Sequence, residues 1–298
     1  GFLGVNIDRD DISGTITMTQ TGLIDRCITS MGLDEANTKD TPEIRGTLPK
    51  DLDGDECNEG FNYASVLGML LYLQGHSRPD ISFAVNQCAR YAFNPRRSHE
   101  EAMKHIGRYL KGTRTKGIIM KPTNNLQIDC FVDADFVGLW GYEDVLDSTS
   151  VKSRSGFLFM LGECPISWSS RLQSEIALST MEAEYVAMSM AMKDLIPLQR
   201  IVKTIMEAVG LDPDLKSTMK REVWEDNAGA LILAKLEPPR MTLRSKHYAL
   251  KYHWFRYKIK ELDIGLNKIG TKQQLADILT KGLPKVDFQR IRLMLMGW

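Results

Sequence analysis

Ten residues near the middle of the chain, Leu126-Gln-Ile-Asp-Cys-Phe-Val-Asp-Ala-Asp135, set the terms for the rest. Isoleucine, phenylalanine and valine in so short a run predict a buried β-strand, and that strand ends on Asp133-Ala-Asp135. Carboxylates at the edge of a core are costly unless cations or donors compensate them. Such a strand therefore needs basic partners, or further acids gathered around a metal ion. The sequence supplies acids. Glu184 lies in a helical stretch, Asp226 follows a second apolar strand, and Asp277 sits in a third helical segment, each where its carboxylate can point back at Asp133.

The chain has 298 residues, enough for two domains of ordinary size, and its 43% hydrophobic and 26% charged content excludes extensive disorder. A formal net charge of +0 excludes a uniformly basic nucleic-acid surface but leaves local stripes open. The charges do segregate: residues 240–260 carry only basic ones, whereas 51–59 and 133–147 are acid-rich. Five scattered cysteines without a C-x-x-C pair imply a reducing compartment and no structural zinc. No apolar run is long enough to span a bilayer. The chain opens Gly-Phe-Leu-Gly with no signal-like segment and no initiator methionine, which reads as a piece of a longer polypeptide.

Upstream of the acidic strand, the alternating runs 2–7 and 14–19 flank an Asp/Gly turn and predict a β-hairpin, marginal by itself. Helices are expected over about 21–31 and 63–74, then from Pro79 toward Tyr91. Asp51, Asp53 and Asp55 alternate as in a calcium loop, but Glu56 stands where that loop needs Gly and Asn62 where it needs Glu, so a solvated loop is expected. Ser98-His-Glu-Glu101 reads as a capping box opening a helix that Gly112 stops. On it Met103, Ile106 and Leu110 share one face. Lys104, Arg108 and Lys111 share another, either a solvated basic side or a phosphate-tracking one.

The polar stretch Lys121-Pro-Thr-Asn-Asn125 marks a boundary. Beyond it come three consecutive strands ending near Asp135, Leu161 and Trp168, a long helix over 180–209, a strand over 222–225 and a helix over 227–235. A basic aromatic helix after Pro238-Pro239, a strand over 266–269 and a helix capped by Thr271 with Gln274 three residues on complete the pattern. A meander followed by alternating helices and strands is an α/β layout with a mixed sheet.

Within these segments, Phe131-Val-Asp-Ala-Asp-Phe-Val-Gly138, Ile166-Ser-Trp-Ser-Ser170, Leu178-Ser-Thr-Met-Glu-Ala-Glu-Tyr-Val-Ala-Met188, Glu225-Asp-Asn-Ala-Gly-Ala-Leu231, Ser245-Lys-His247 and Gln274-Leu-Ala-Asp-Ile-Leu-Thr-Lys281 resemble the ribonuclease H region of copia-type LTR retrotransposon polyproteins. Tyr63-Ala-Ser-Val-Leu-Gly-Met-Leu-Leu-Tyr-Leu73, Arg78-Pro-Asp-Ile81 and Arg108-Tyr-Leu-Lys-Gly-Thr113 are similar to the segment between polymerase palm and nuclease in the same elements. Together the motifs cover nearly the whole chain in the family's order. The resemblance implies the C-terminal part of a reverse transcriptase over 1–121, with a palm-edge hairpin and helices of a thumb or connection. Over 126–298 it implies a ribonuclease H domain, an α/β fold with a mixed five-stranded sheet.

By the same resemblance Asp133, Glu184, Asp226 and Asp277 match the family's four metal-binding acids, Glu184 fitting the helix motif better than Glu182. Each has a plainer reading. Asp133 can be a hydrogen-bonded strand-end acid, Glu184 a first-turn acid favoured by the helix dipole, Asp226 an N-cap and Asp277 a solvated partner of Lys281. Only their conjunction in one ordered set favours the catalytic reading.

Phosphodiester cleavage needs a nucleophilic water and a stabilised leaving oxygen, and two hard cations about 4 Å apart serve both ends of an in-line displacement. Oxygen ligands favour Mg²⁺, with Mn²⁺ as a substitute. Asp133 is then expected to bridge two ions, Glu184 and Asp226 to hold one, and Asp277 the other. Without metal, the clustered anions should raise one another's pKa values.

The implied substrate is RNA paired to DNA, told apart by its 2′-hydroxyls, for which Ser167, Ser169, Ser170 and Gln173 are candidate donors. Arg244, Lys251 and Lys258 form one stripe on the basic helix, with Lys104, Arg108 and Lys111 as further backbone contacts. His247, on the apolar stripe, reads as a buried structural histidine. The partners implied are an RNA–DNA hybrid and the remainder of the reverse transcriptase polyprotein, in a cytoplasmic particle or the nucleus. The loop over 139–155 is longer than the commonest family form, and the polymerase signature of an aromatic, any residue and two adjacent aspartates is absent. A non-catalytic hybrid-binding or connecting module is therefore the alternative function. An integrase, which shares the fold, needs a different acid spacing.

Overall fold

The computed structural model, which describes residues 1–44, 46–123, 125–138, 140–141, 149–211, 219–237 and 253–298, divides into two units. One unit comprises Gly1–Lys121, Gly138–Val151 and Lys281–Trp298, the other Pro122–Val137 and Lys152–Thr280. This partition departs from the expected 1–121 and 126–298 in two places: the loop after Val137 and the last eighteen residues, Lys281–Trp298, group with the first unit.

In the first unit, β1 (Asn6–Arg9) and β2 (Ile16–Thr19) form the expected antiparallel hairpin. Its turn is set by Asp10, whose carboxylate accepts from Ile12 N at 2.9 Å and Ser13 Oγ at 2.7 Å. A third strand, β3 (Ile118–Met120), pairs with β2, which helps a hairpin too small to stand alone. Helices α1 (Thr21–Ser30), α2 (Tyr63–His76), α3 (Ser82–Ala89) and α4 (Arg97–Gly112) lie between the hairpin and β3. Two local expectations are corrected. Pro79 opens a 3-10 turn, Pro79–Ile81, ahead of α3. Ser98 does not cap α4: its hydroxyl donates to Asp51 at 2.5 Å, and His99 Nδ1 instead accepts from Arg96 N at 2.9 Å.

Among the buried apolar residues of this unit lies a buried polar network. Arg78, with no exposed surface, donates from Nε and Nη2 to the two carboxylate oxygens of Asp80 at 2.9 and 2.8 Å, and from its fork to Thr113 O and Oγ1 at 3.2 and 2.8 Å. Tyr109 OH donates to Asp80 at 2.6 Å, and the Arg78 guanidinium carbon lies 5.3 Å from the Tyr109 ring centre and 5.4 Å from that of Trp298. The helix Lys285–Met296, which the sequence pattern did not single out, buries Phe288, Ile291, Leu295 and Met296, and Trp298 Nε1 donates to Gly117 O at 2.6 Å. That apolar stripe at helical spacing is what carries the C-terminal residues to the first unit.

The second unit contains the expected mixed five-stranded sheet, in the order β6-β5-β4-β7-β8. Strands β4 (Ile128–Asp135), β5 (Arg154–Leu161) and β6 (Cys164–Leu172) form an antiparallel meander; β7 (Arg221–Glu225) joins β4 in parallel, and β8 (Gly265–Lys268) joins β7 in parallel. The β5–β6 turn places Gly162 and Glu163 both at positive φ, 55° and 71°, as a two-residue hairpin requires. Ile128, Cys130 and Val132 on one face of β4 share a core with α5 (Thr180–Ala208), α6 (Ala228–Lys235) and α7 (Trp254–Glu261). On α5 the fully buried Ala183, Ala187 and Ala191 recur every fourth residue and let its backbone approach the sheet.

Asp133 pairs in register with Gly156, so the two share a face of the sheet. A Cβ on Gly156 would lie 2.6 Å from Thr280 Cγ2 and 2.9 Å from Leu279 Cβ, both on the short helix α8 (Asp277–Thr280). Gly156→Ala is expected to cost about 1–3 kcal/mol through overpacking. Thermal melting of the variant checks this, and an unchanged melting temperature would contradict the tight approach. The single helix expected from Thr271 is also corrected: Thr271–Gln273 is a 3-10 turn, and α8 begins only at Asp277.

Candidate metal centre

Asp133 is delivered by the last turn of pleat in β4, where the pattern of alternating burial gives way to three buried residues in a row. Glu184 and Asp226 converge on it: one carboxylate oxygen from each of the three lies within 4.8 Å of the others. Asp133 and Glu184 are buried, and Asp226 is partly exposed, which gives the group one open side.

The plainer readings of Asp226 and Asp277 do not hold, whereas that of Asp133 does: it is a hydrogen-bonded strand-end acid, accepting from Thr280 Oγ1. Ser179 caps α5, accepting from Glu182 N at 3.2 Å, and Glu182 accepts in return from Leu178 N at 2.8 Å. The capping work thus falls on Glu182, and Glu184 is left to the cluster. Asn227, not Asp226, caps α6, its side chain accepting from Ala230 N at 3.0 Å. Asp226 instead accepts from Thr271 Oγ1 at 3.1 Å. Asp277 is 5% exposed, which rules out a solvated acid on a helix surface. The group of three does not include Asp277, but α8 brings Thr280, one turn further on, into hydrogen-bond contact with Asp133 Oδ2.

A fifth acid was not singled out in the sequence. Glu225 has no exposed surface and accepts from Asn227 N at 2.9 Å. Burial pushes its carboxyl well above the ordinary range, and the charges of Asp133 and Asp226 push the same way. It sits on β7 beside Asp226, where the alternation of a buried strand, Val223 then Glu225, is the only signal of its inward direction.

The candidate nucleic-acid contacts fare differently. Lys104 pairs with Glu100 at 2.6 Å, Arg108 donates to Asn37 O at 2.6 Å, and Lys111 donates to the carbonyls of Leu33, Asp34 and Ala36. Their contacts favour an internally braced helix surface over a phosphate-tracking face. Gln173 is buried and donates to Ser155 Oγ at 2.9 Å and Ala183 O at 2.8 Å, so its amide joins the end of β6 to α5 rather than facing a ligand. Ser169 accepts from Arg171 at 2.7 Å and Ser170 from Arg154 at 3.2 Å; both serines are buried. Lys258 pairs with Glu261 at 2.6 Å. Arg244, His247 and Lys251 lie outside the described residues. Among the described residues, no helix is long and apolar enough to cross a membrane.

No family model matches the chain. It is 33% identical over 236 residues to the Retrovirus-related Pol polyprotein from transposon RE1 of Arabidopsis thaliana, covering 79% of this chain and 15% of that polyprotein. It is 32% identical over 295 residues to the corresponding polyprotein from transposon TNT 1-94 of Nicotiana tabacum, covering 97% of this chain and 21% of that one. The chain therefore spans less than a quarter of the length of these curated relatives. Two solved structures overlap 52% of it: LC11-RNase H1 isolated from compost, at 15% identity, TM-score 0.34 and 93% of that chain, and RNase H1 from Halobacterium salinarum NRC-1, at 13%, 0.29 and 94%. At such scores the overlap carries no weight of its own. The motifs, their order and the identity along nearly the whole sequence do: the chain belongs to the Pol polyproteins of copia-type retrotransposons, of which it is the end of the reverse transcriptase region together with the ribonuclease H region.

Proposed function

We propose that the second unit is a metal-dependent endonuclease that cuts the RNA strand of RNA–DNA hybrids during retrotransposon reverse transcription. The observation that supports it is the meeting of Asp133, Glu184 and Asp226, from a strand end, a helix and a second strand end, with oxygens within 4.8 Å of one another. The donors are all carboxylate oxygens, which fits a hard divalent cation, Mg²⁺ or in its place Mn²⁺. Two such ions, when bound, supply an acidified water and a stabilised leaving oxygen.

The chain's own part is to hold and aim. Asp133 would hold a divalent ion together with the other acids. Glu184 and Asp226 close the same side, and Asp277, a turn ahead of Thr280 on α8, is the fourth ligand in this reading. The partial exposure of Asp226 leaves the side from which a phosphate can approach. The partners proposed are an RNA–DNA hybrid and the rest of the polyprotein, in a cytoplasmic retrotransposon particle or the nucleus. A non-catalytic hybrid-binding module is the second reading, favoured by the balanced charge and the missing polymerase signature.

A hybrid labelled on its RNA strand separates the two. Cleavage with Mg²⁺ that stops on chelation, with single-stranded RNA spared, is the expected result. Tight binding without cleavage in either Mg²⁺ or Mn²⁺ would favour the second reading.

A further inference from the structure

The parallel ladder between β4 and β7 ends at Phe131 paired with Trp224, yet the acids that matter lie two residues beyond each partner, at Asp133 and Asp226. Past that last rung, backbone pairing no longer sets the distance between the strands. Gln274, with no exposed surface, takes over there: Nε2 donates to Val132 O at 2.8 Å and to Trp224 O at 3.4 Å, while Oε1 accepts from Ala276 N at 3.2 Å. One side-chain amide thus ties the residue before Asp133 to the strand that leads to Asp226.

Six residues on, Thr280 is also fully buried and donates its hydroxyl to Asp133 Oδ2. Asp277 O, at 3.3 Å, is the other acceptor in reach, but a hydroxyl carries one proton and a carboxylate is the stronger acceptor. The terminal torsion of an aspartate is broad, so a fixed donor on one oxygen decides where the remaining lone pairs point. The absence of a side chain at Gly156, opposite Asp133, is what lets Thr280 come this close.

We propose that residues 274–280 are the positioning element of the acid cluster, with Gln274 setting the separation of Asp133 and Asp226 and Thr280 fixing the Asp133 carboxylate. Neither residue is among the three clustered acids; both act through Asp133 and its strand. The proposal rests on the reading of Asp133, Glu184 and Asp226 as a metal-holding group. Partners of this kind typically change metal affinity 10–100-fold when removed.

The test is calorimetric titration of the full chain with Mn²⁺ alone, alongside thermal melting without metal. Thr280→Val keeps the shape and loses the donor, Thr280→Ser keeps the donor, Gln274→Met keeps the bulk and loses the amide, and Asp133→Asn is the control that removes the carboxylate. Expected is a dissociation constant raised about 10–100-fold in Thr280→Val and Gln274→Met, near the parent's in Thr280→Ser, with metal-free melting of Thr280→Val little changed. Thr280→Ala replaces Thr280→Val if the latter does not fold. Parent-like affinity in Thr280→Val, or equal weakening in Thr280→Ser, overturns the positioning role while leaving the metal site standing. No saturable binding by the parent, or parent-like binding by Asp133→Asn, overturns the metal reading and the proposal together.

Discussion

Replacing Asp133 with asparagine should abolish hybrid cleavage while leaving the fold intact. The substitution keeps the volume, and its amide oxygen can still accept from Thr280. What it removes is one of the three carboxylates that meet in the cluster. If stabilisation of the reacting oxygens is worth several kcal/mol, the rate of RNA-strand cleavage at saturating Mg²⁺ should fall by roughly 10³-fold or more. Affinity for the hybrid, carried by other groups, should change far less. Single-turnover cleavage together with a binding isotherm separates the two quantities. A variant that cuts within tenfold of the parent would mean the cluster does not do the chemistry.

The second large effect concerns stability and the other unit. Asp80→Ala strands the Arg78 guanidinium, both side chains being fully buried, and also removes the acceptor of Tyr109 OH. Breaking a buried ion pair from one side typically costs about 3–5 kcal/mol, because the remaining charge is neither solvated nor paired. The residual contacts of Arg78 to Thr113 and the two rings soften this without replacing a carboxylate. Hydrogen exchange of amides in α4 reads the first unit apart from the second, where a melting curve reports both. Protection there should drop by about 10²–10³-fold. Adding Arg78→Met to Asp80→Ala should recover part of the loss, whereas simple additivity would show that the pair is not what holds this network.

How much of this was legible in the sequence depends on how far away each partner lies. Local patterns carried most elements: the hairpin, the meander, α5 and the parallel strands follow from alternation and helical spacing. The acids came as an ordered set from the resemblance rather than from periodicity; Asp133, Glu184 and Asp226 meet, and that group does not include Asp277. Asn227, the next residue in sequence, supplies the cap for which Asp226 was the candidate. Gln274 and Thr280 were not legible as positioning groups, because their acceptors lie 142 and 147 positions away. A motif letter marks such a residue but not the carbonyl or carboxylate it serves.

The basic stripe on α4 shows a different limit. Periodicity fixes the side of a helix from which a cation departs, but a lysine stem is long and flexible, and Lys111 ends on three carbonyls of its own unit. The 3-10 turn at Thr271 escaped notice because a Thr with Gln three residues on fits a capping box equally well. The final helix joined the first unit through Phe288, Ile291 and Trp298, and an apolar stripe does not name the surface it will cover.

The central claim is that three acids from separate elements, Asp133, Glu184 and Asp226, form one site for divalent ions. A crystal structure of the chain grown with Mn²⁺, phased to reveal the ion by its anomalous signal, tests it most directly. The account predicts an anomalous peak in contact with oxygens of Asp133, Glu184 and Asp226. A peak bound elsewhere, or Glu184 or Asp226 turned away from Asp133 with the ion present, would contradict it.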